Sequence, residues 1–471
     1  MIEPLSDYYR VPEYMLGRVL ASKSSGEAGF FRFGPKAICY GRSASGVATR
    51  VEDAGLYDAL KSTRINGADI QLPFDLTQVI GSLHREHYFQ SLLPGREKFV
   101  SREWMLETYY LVREILPVSL RRHLQRVYFC DWKSRLFPAW PVDFTVDNLH
   151  DEILRLSMEA GRVKRMPFIW YWPDGAPNCL ILTHDVETSA GRDFTPQLMD
   201  LDDSYGFKAS FQVIPEKRYK VSDEFVQTIR NRGFEFNIHD LNHDGRLYHQ
   251  QEEFLLRAKK INQYAHRYNA RGFRAGSMYR MPDWYDAYEF SYDMSLSNVA
   301  HLDPKRGGCC TVFPFFMGKI LELPLTTSQD YSIFHILNDY SLDLWKKQLA
   351  LIRQRNGLMT FLTHPDYLIG GRARKVYESL LDYLQEMISR ERIWAALPGE
   401  VDQWWRTRSQ LKLVPKRSGW EIEGSGKERA RIAYAVRDGD RLDYEVAGAP
   451  SIADSVVKDS LAGPLALKLE V

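Results

Sequence analysis

Cys179-Leu180-Ile181-Leu182-Thr183 runs directly into His184-Asp185-Val186-Glu187. The first five residues read as a buried strand, and from Asn178 onward short apolar runs of this kind alternate with amphipathic helical stretches. That alternation is the pattern of a parallel sheet wrapped by helices. Ala209 to Ile214 and Phe234 to Ile238 read as the next strands, with a helix between Ser222 and Gly233 that opens on a Ser cap and closes on Gly. Gln251 to Tyr268 reads as a helix and Gly272-Phe273-Arg274 as a strand. Further on, Lys319 to Leu325 and Leu358 to Thr363 read as strands, and Ser341 to Arg355 and Arg374 to Ser389 as helices. The repetition predicts an α/β fold, a distorted (β/α)-type barrel of about seven units over residues 176–408.

The flanks have a different texture. Residues 1–175 are aromatic-rich and irregular, predicting an N-terminal α+β accessory domain that carries no concentrated chemistry. Gly29 to Phe33 and Ala37 to Tyr40 are strand-like there, whereas Ser101 to Ile115 and Val146 to Ala160 place apolar residues at helical spacing, the second with Asp147 as N-cap. Residues 409–471 predict a small β-rich module, with Trp420 to Glu423, Ala430 to Val436 and Leu442 to Val446 separated by Gly-Ser-Gly and Asp-Gly-Asp turns.

Composition removes several classes of function. Lys+Arg number 62 and Asp+Glu 61, a net charge of +1, so nothing supports a nucleic-acid partner held by bulk charge. An apolar content of 44% over 471 residues excludes a solvated, disordered chain. The first residues carry Glu3, Asp7 and Glu13 without an apolar core, and no apolar stretch approaches the ~20 residues that span a bilayer. The five cysteines are scattered and none stands in a C-x-x-C spacing. The expectation is a cytoplasmic protein without a transmembrane segment.

In parallel α/β architectures reactive groups gather at the carboxyl ends of strands. Four such ends carry candidates: Asp185 and Glu187 after the first strand, His239 and His243 after the third, Arg274 to Arg280 after the fourth, and His364 after Leu358 to Thr363. The i,i+4 spacing of His239 and His243 brings two imidazoles to one side of a helical turn, where both can ligate one divalent ion. A carboxylate would complete a His₂-carboxylate set with a position left for water, the layout of a hydrolytic metal site. Tyr279, Trp284, Tyr285 and Tyr331 follow strand ends, where aromatic rings would border a ligand.

This ordered set resembles the polysaccharide deacetylases of the NodB-homology type, carbohydrate esterase family 4. Thr183 to Glu187 looks like a variant of the family's T-F-D-D motif, His239 to His243 matches H-[S/T]-x-x-H, and Arg274 matches the arginine of R-x-P-Y, continued here as Ala275-Gly276-Ser277. Tyr292 to Leu296 resembles the stretch around the fourth motif, and Leu362-Thr363-His364 the final L-x-H. The resemblance implies one divalent ion, zinc, held by Glu187, His239 and His243, with Asp185 as an alternative acidic ligand. Asp185 would be the general base, Arg274 its orienting partner, and His364 the acid toward the departing sugar amine. A backbone N–H in the Arg274 to Ser277 turn would help hold the oxyanion, with Ser277 and Tyr279 contacting substrate. The implied function is metal-dependent removal of an N-acetyl or O-acetyl group from a sugar or polysaccharide precursor. Two alternatives stand beside it: a related C–N hydrolase acting on a small amide, and an inactive carbohydrate-binding or scaffold protein.

Overall fold

The computed structural model describes residues 3–22, 26–51, 55–92, 126–417 and 419–447. The helix expected over Ser101 to Ile115 and the last part of the expected C-terminal module, 448–471, lie outside the described residues.

One curled sheet dominates. Its strands are β1 (Cys179–Val186), β2 (Ala209–Val213), β3 (Glu235–His239), β4 (Gly272–Arg274), β5 (Tyr292–Asp293), β6 (Phe315–Met317), β7 (Ile320–Glu322), β8 (Leu358–Thr363) and β9 (Trp394–Ala395). They run in the order β6-β7-β5-β4-β3-β2-β1-β8, with β9 paired to the start of β1. Every pairing is parallel except β6 with β7. All eight residues of β1 are buried, as befits a central strand covered on both faces. The apolar runs therefore became strands where their pattern placed them, with β1 longer than its apolar part.

Between β1 and β4 strands and helices alternate, through Ser189–Ser204, Asp223–Asn231 and Gln251–Tyr268. Ser222 caps the second of these, its side chain accepting from Phe225 N at 3.1 Å. Between β4 and β7 the alternation lapses, where the links carry a short 3₁₀ helix, Pro282–Ala287, and the antiparallel strand β6; it resumes with the helices Asp343–Arg353 before β8 and Gly371–Glu391 before β9. Pro304, Gly307, Gly308, Pro314 and Gly318 interrupt that stretch and leave no run for a crossover helix. The sheet's two sides then meet through side chains. Thr326 Oγ1 donates to Leu358 O (2.8 Å) and accepts from Thr360 N (3.0 Å), and Thr327 Oγ1 donates to Thr360 O (2.7 Å). The hydroxyls thus stand where a ladder would otherwise run.

The flanking regions pack onto the same molecule. In the N-terminal part Arg18–Ala21, Asp69–Leu72 and Arg64–Asn66 form a small sheet, and Gly29–Arg32 pairs with Ile38–Gly41. Strand Arg165–Ile169 joins Ile432–Asp438 and Arg441–Val446 in a three-stranded antiparallel sheet, so the regions flanking the large sheet in sequence share one element. A single cluster of buried apolar side chains runs from Leu5 through the barrel strands to Ala435. The helix expected from Val146 is Thr145–Ala160, but Asp147 does not cap it. Asp147 is buried and accepts from Thr311 Oγ1 (2.6 Å) and Val312 N (3.2 Å), while Asp143 accepts the Thr145 N–H at 2.7 Å. Tertiary partners thus took the carboxylate away from the helix end. Among the described residues no helix is long and apolar enough to cross a membrane.

Candidate active site

Strand geometry explains the spacing of the two acids. Successive side chains alternate faces, so Thr183 and Asp185 share one face of β1 and His184 takes the other. Thr183 and Asp185 both accept from Arg274 Nη1, at 2.8 and 2.9 Å. His184 is instead wedged between Thr363 Oγ1 (2.8 Å) and Asp202 Oδ2 (3.0 Å) on the helix-covered side. Glu187, one residue past the strand, follows Asp185 toward the same cluster.

Register brings the remaining groups alongside. Arg274 on β4 lies opposite His239 on β3, and Thr363, which precedes His364, lies opposite His184 on β1. Glu187 Oε1 then stands 2.8 Å from His243 Nε2, 3.6 Å from His239 Nε2 and 3.5 Å from His364 Nε2. Asp185 Oδ2 is 3.6 Å from His239 Nε2. Three imidazoles and two acids from three strand ends therefore converge on one point, with Arg274 reaching in from a fourth.

The loop between the paired histidines is not the helical turn their spacing suggested. Asp240 and His243 both adopt left-handed φ, 56° and 54°, and residues 240–249 carry no helix. Arg218 braces this loop by donating to Asn242 O (3.3 Å) and His243 O (2.6 Å). On the other side it leans on Gly276, where a Cβ would lie 2.5 Å from Asp240 Oδ2 and 2.8 Å from His243 Cδ2. Only glycine fits that approach.

The donor set fits a divalent ion. Among the described residues, Glu187, His239 and His243 form a group whose ligand atoms all lie within 4.8 Å of one another. His239 Nδ1 is 3.1 Å from Arg274 O, a bond that places its proton on Nδ1 and leaves Nε2 bare toward the cluster. His239 Nε2 and His243 Nε2 are buried without a hydrogen-bond partner, the state expected of nitrogens that ligate rather than donate. Donors about 2.0–2.1 Å from a tetrahedral ion stand ~3.4 Å apart, and the 2.8 and 3.6 Å separations from Glu187 straddle that value. The greater reach of Glu187 therefore suits a position one residue beyond the strand.

Electrostatics separate the roles. Burial opposes charge on Glu187, yet the imidazole of His243 and those of His239 and His364 close beside it hold its carboxyl well below the usual range. Burial likewise opposes charge on His364, but Asp330 outweighs it and raises the imidazole well above its ordinary value. Asp330 grips that residue twice, accepting from the His364 backbone N–H (2.7 Å) and lying 2.6 Å from Nδ1. The sequence reading singled out Tyr331 but gave its neighbour Asp330 no role. Its only signal was an acid 34 residues before a strand-end histidine. The stretch Tyr292 to Leu296 does not meet His364; Asp293 bonds Ser295 (2.8 and 2.9 Å), and Met294 O accepts from Arg274 Nε (3.0 Å).

Ser277 lies in the turn after β4, half-buried and with φ 54°, and Tyr279 is half-buried just beyond it. Of the other aromatics, Tyr285 is buried in the core against Tyr248 and Tyr288, and Trp284 packs on Tyr248 and Phe254. Those two rings belong to packing. Tyr331 sits beside Tyr367, whose ring centroid is 4.9 Å from that of His364.

No protein-family model and no curated protein matches the chain. Among solved structures, the chain is similar to a Mycobacterium smegmatis protein assigned as a polysaccharide deacetylase, at 16% identity over 53% of this chain and 97% of that one, TM-score 0.42. It is also similar to PuuE allantoinase, at 9% identity over 50% of this chain and 92% of that one, TM-score 0.40. A third is a mutant of the peptidoglycan deacetylase PdaC from Bacillus subtilis, at 12% identity over 50% of this chain and 94% of that one, TM-score 0.32.

Proposed function

We propose that the chain is a metal-dependent hydrolase that removes an acetyl group from an N-acetylated, or O-acetylated, sugar or polysaccharide precursor. The observation that carries this reading is the meeting of Glu187 Oε1 with three imidazole Nε2 atoms, beside an Asp185 already engaged by Arg274. Glu187, His239 and His243 would hold one divalent ion, and two imidazoles with a carboxylate suit zinc. Such an ion, when bound, supplies Lewis-acid polarisation of a carbonyl and lowers the pKa of a water from ~15.7 to ~7.

The chain's own groups divide the remaining work. Arg274 occupies Asp185 Oδ1, so Oδ2 is the atom that takes a proton as general base. His364 is kept charged by Asp330 at Nδ1, which leaves Nε2 to hand a proton to the departing amine. Ala275 N–H is committed to Ser295 Oγ at 2.9 Å, so the amides of Gly276 and Ser277 are those of the turn that would face a developing oxyanion. Ser277 and Tyr279 would border the sugar.

Elemental analysis of the purified protein and an acetate-release assay on N-acetylglucosamine oligomers test the reading. Stoichiometric metal, acetate release lost on chelation, and a large loss of rate in Asp185→Asn are expected. Full activity in His239→Ala/His243→Ala would overturn it. Faster turnover of small cyclic amides than of acetylated sugars would move the assignment to the small-amide hydrolase.

A further inference from the structure

The loop that carries Gly276 to Tyr279 is gripped from outside the barrel by three consecutive residues of the N-terminal region. Arg85, Glu86 and His87 follow the helix Leu76–His84. At the surface Arg85 Nη1 donates to Asp283 Oδ1 (3.1 Å), and His87 Nε2 is 3.0 Å from Asp283 Oδ2. Between them Glu86 adopts a left-handed φ of 58° and turns inward. Its carboxylate is wholly buried and takes both Nε (3.0 Å) and Nη2 (2.5 Å) of the equally buried Arg280. Lys305 Nζ approaches Glu86 Oε2 at 3.4 Å and donates to Arg280 O at 2.6 Å. The remaining guanidinium nitrogen, Arg280 Nη1, donates to Met278 O at 2.8 Å.

Burying three charges carries a desolvation cost that only close pairing offsets, and simple packing of one region on another does not call for it. The placement suggests what the cluster is for. The loop from Arg274 to Arg280 is pinned at both ends by carboxylates, Arg274 by Asp185 and Arg280 by Glu86. Between the pins Ser277 and Met278 both hold a left-handed φ of 54°, which residues other than glycine keep only where their surroundings impose it. The bond from Arg280 to Met278 O acts at that spot.

We propose that Glu86 is a positioning residue for the reaction: acting through Arg280, it sets the conformation of Gly276 to Tyr279 and so aims the Gly276 and Ser277 amides at the reacting carbonyl. The kinetic part of this inference rests on the hydrolase reading, whereas the conformational part stands without it. Oxyanion donors act in the transition state, so their displacement lowers kcat and leaves KM nearly unchanged.

The test uses the full chain loaded with zinc, in two variants. Glu86→Gln breaks the pair, and Glu86→Leu/Arg280→Met removes the two wholly buried charges together, so that neither is stranded if the single variant fails to fold, while Lys305 keeps its bond to the carbonyl of residue 280. Hydrogen exchange is followed in the amides of residues 276–281, and acetate release from tetra-N-acetylglucosamine is measured per bound zinc. Exchange there should rise about tenfold or more, and kcat should fall by about tenfold or more with KM within about threefold. A purely structural role would lower the yield of loaded protein without changing kcat per zinc. A folded, loaded double variant with exchange and kcat both within about twofold of wild type would overturn the proposal. Absence of acetate release by the wild-type protein would end the hydrolase reading alone, since loop exchange still decides whether Glu86 holds Gly276 to Tyr279.

Discussion

Gly276→Ala is a one-carbon change whose consequence follows from the geometry around the paired histidines. The added Cβ would lie 2.5 Å from Asp240 Oδ2, 2.8 Å from His243 Cδ2 and 3.3 Å from Asp240 Cβ, all short of the 3.4 Å where ordinary contact begins. The shortfall, about 0.9 Å at Asp240 and 0.6 Å at His243, cannot be taken up by a flexible side-chain end, because both residues are buried and sit on left-handed backbone. Overpacking of this kind costs about 1–3 kcal/mol, which a chain of this size survives. The local effect is larger in consequence, since metal donors tolerate only about 0.2 Å of misplacement. His243 Nε2 should therefore leave its 2.8 Å approach to Glu187, with zinc affinity falling at least tenfold and acetate release by ~100-fold. Chelator competition measures the first, a coupled acetate assay the second, and a melting curve confirms that the variant is folded. Wild-type zinc affinity in a folded Gly276→Ala protein would refute the claim that the Asp240–His243 loop is seated on a bare glycine.

Two further outcomes follow from buried acids. Asp330→Asn removes the carboxylate that raises His364, so the imidazole should lose its proton at lower pH; the alkaline limb of the rate profile moves toward acid and kcat falls by ~10²–10⁴, whereas an unmoved limb would separate His364 from proton delivery. Asp147, whose carboxyl burial pushes up to about 7 from 3.8, binds its proton more tightly folded than unfolded. Its contribution is full below pH ~3.8 and is lost as pH rises through ~7, a difference on the order of 4 kcal/mol. Asp147→Asn should therefore shrink the drop in melting temperature between pH 5 and pH 8, and an unchanged drop would place the titrating group elsewhere.

Much of the candidate site's convergence was legible because its residues obey strand periodicity. The two-residue step from Asp185 to Glu187 and the positions of His239, Arg274 and His364 at the ends of apolar runs required only that those runs be parallel strands, which they are. The loops were less legible. The i,i+4 spacing of His239 and His243 suggested a helical turn, but the convergence is made by two left-handed residues and by Gly276 arriving from another strand end. Asp330 escaped attention because nothing local distinguishes an acid at the start of a short helical turn until the fold sets it against His364. Asp147 was read as a cap because local rules favour an acid there, and long-range bonds from Thr311 and Val312 took precedence.

The linear order of residues was enough to specify which segments are buried strands, where helices wrap them, and which acids and imidazoles stand at strand ends, since these follow from side-chain periodicity and local propensity within a few turns of chain. Folding alone decided that Glu187 reaches three imidazoles, that Asp330 holds His364, and that an N-terminal glutamate grips Arg280. Those contacts join residues 34 to 194 positions apart, and no local pattern encodes a distance that only packing sets.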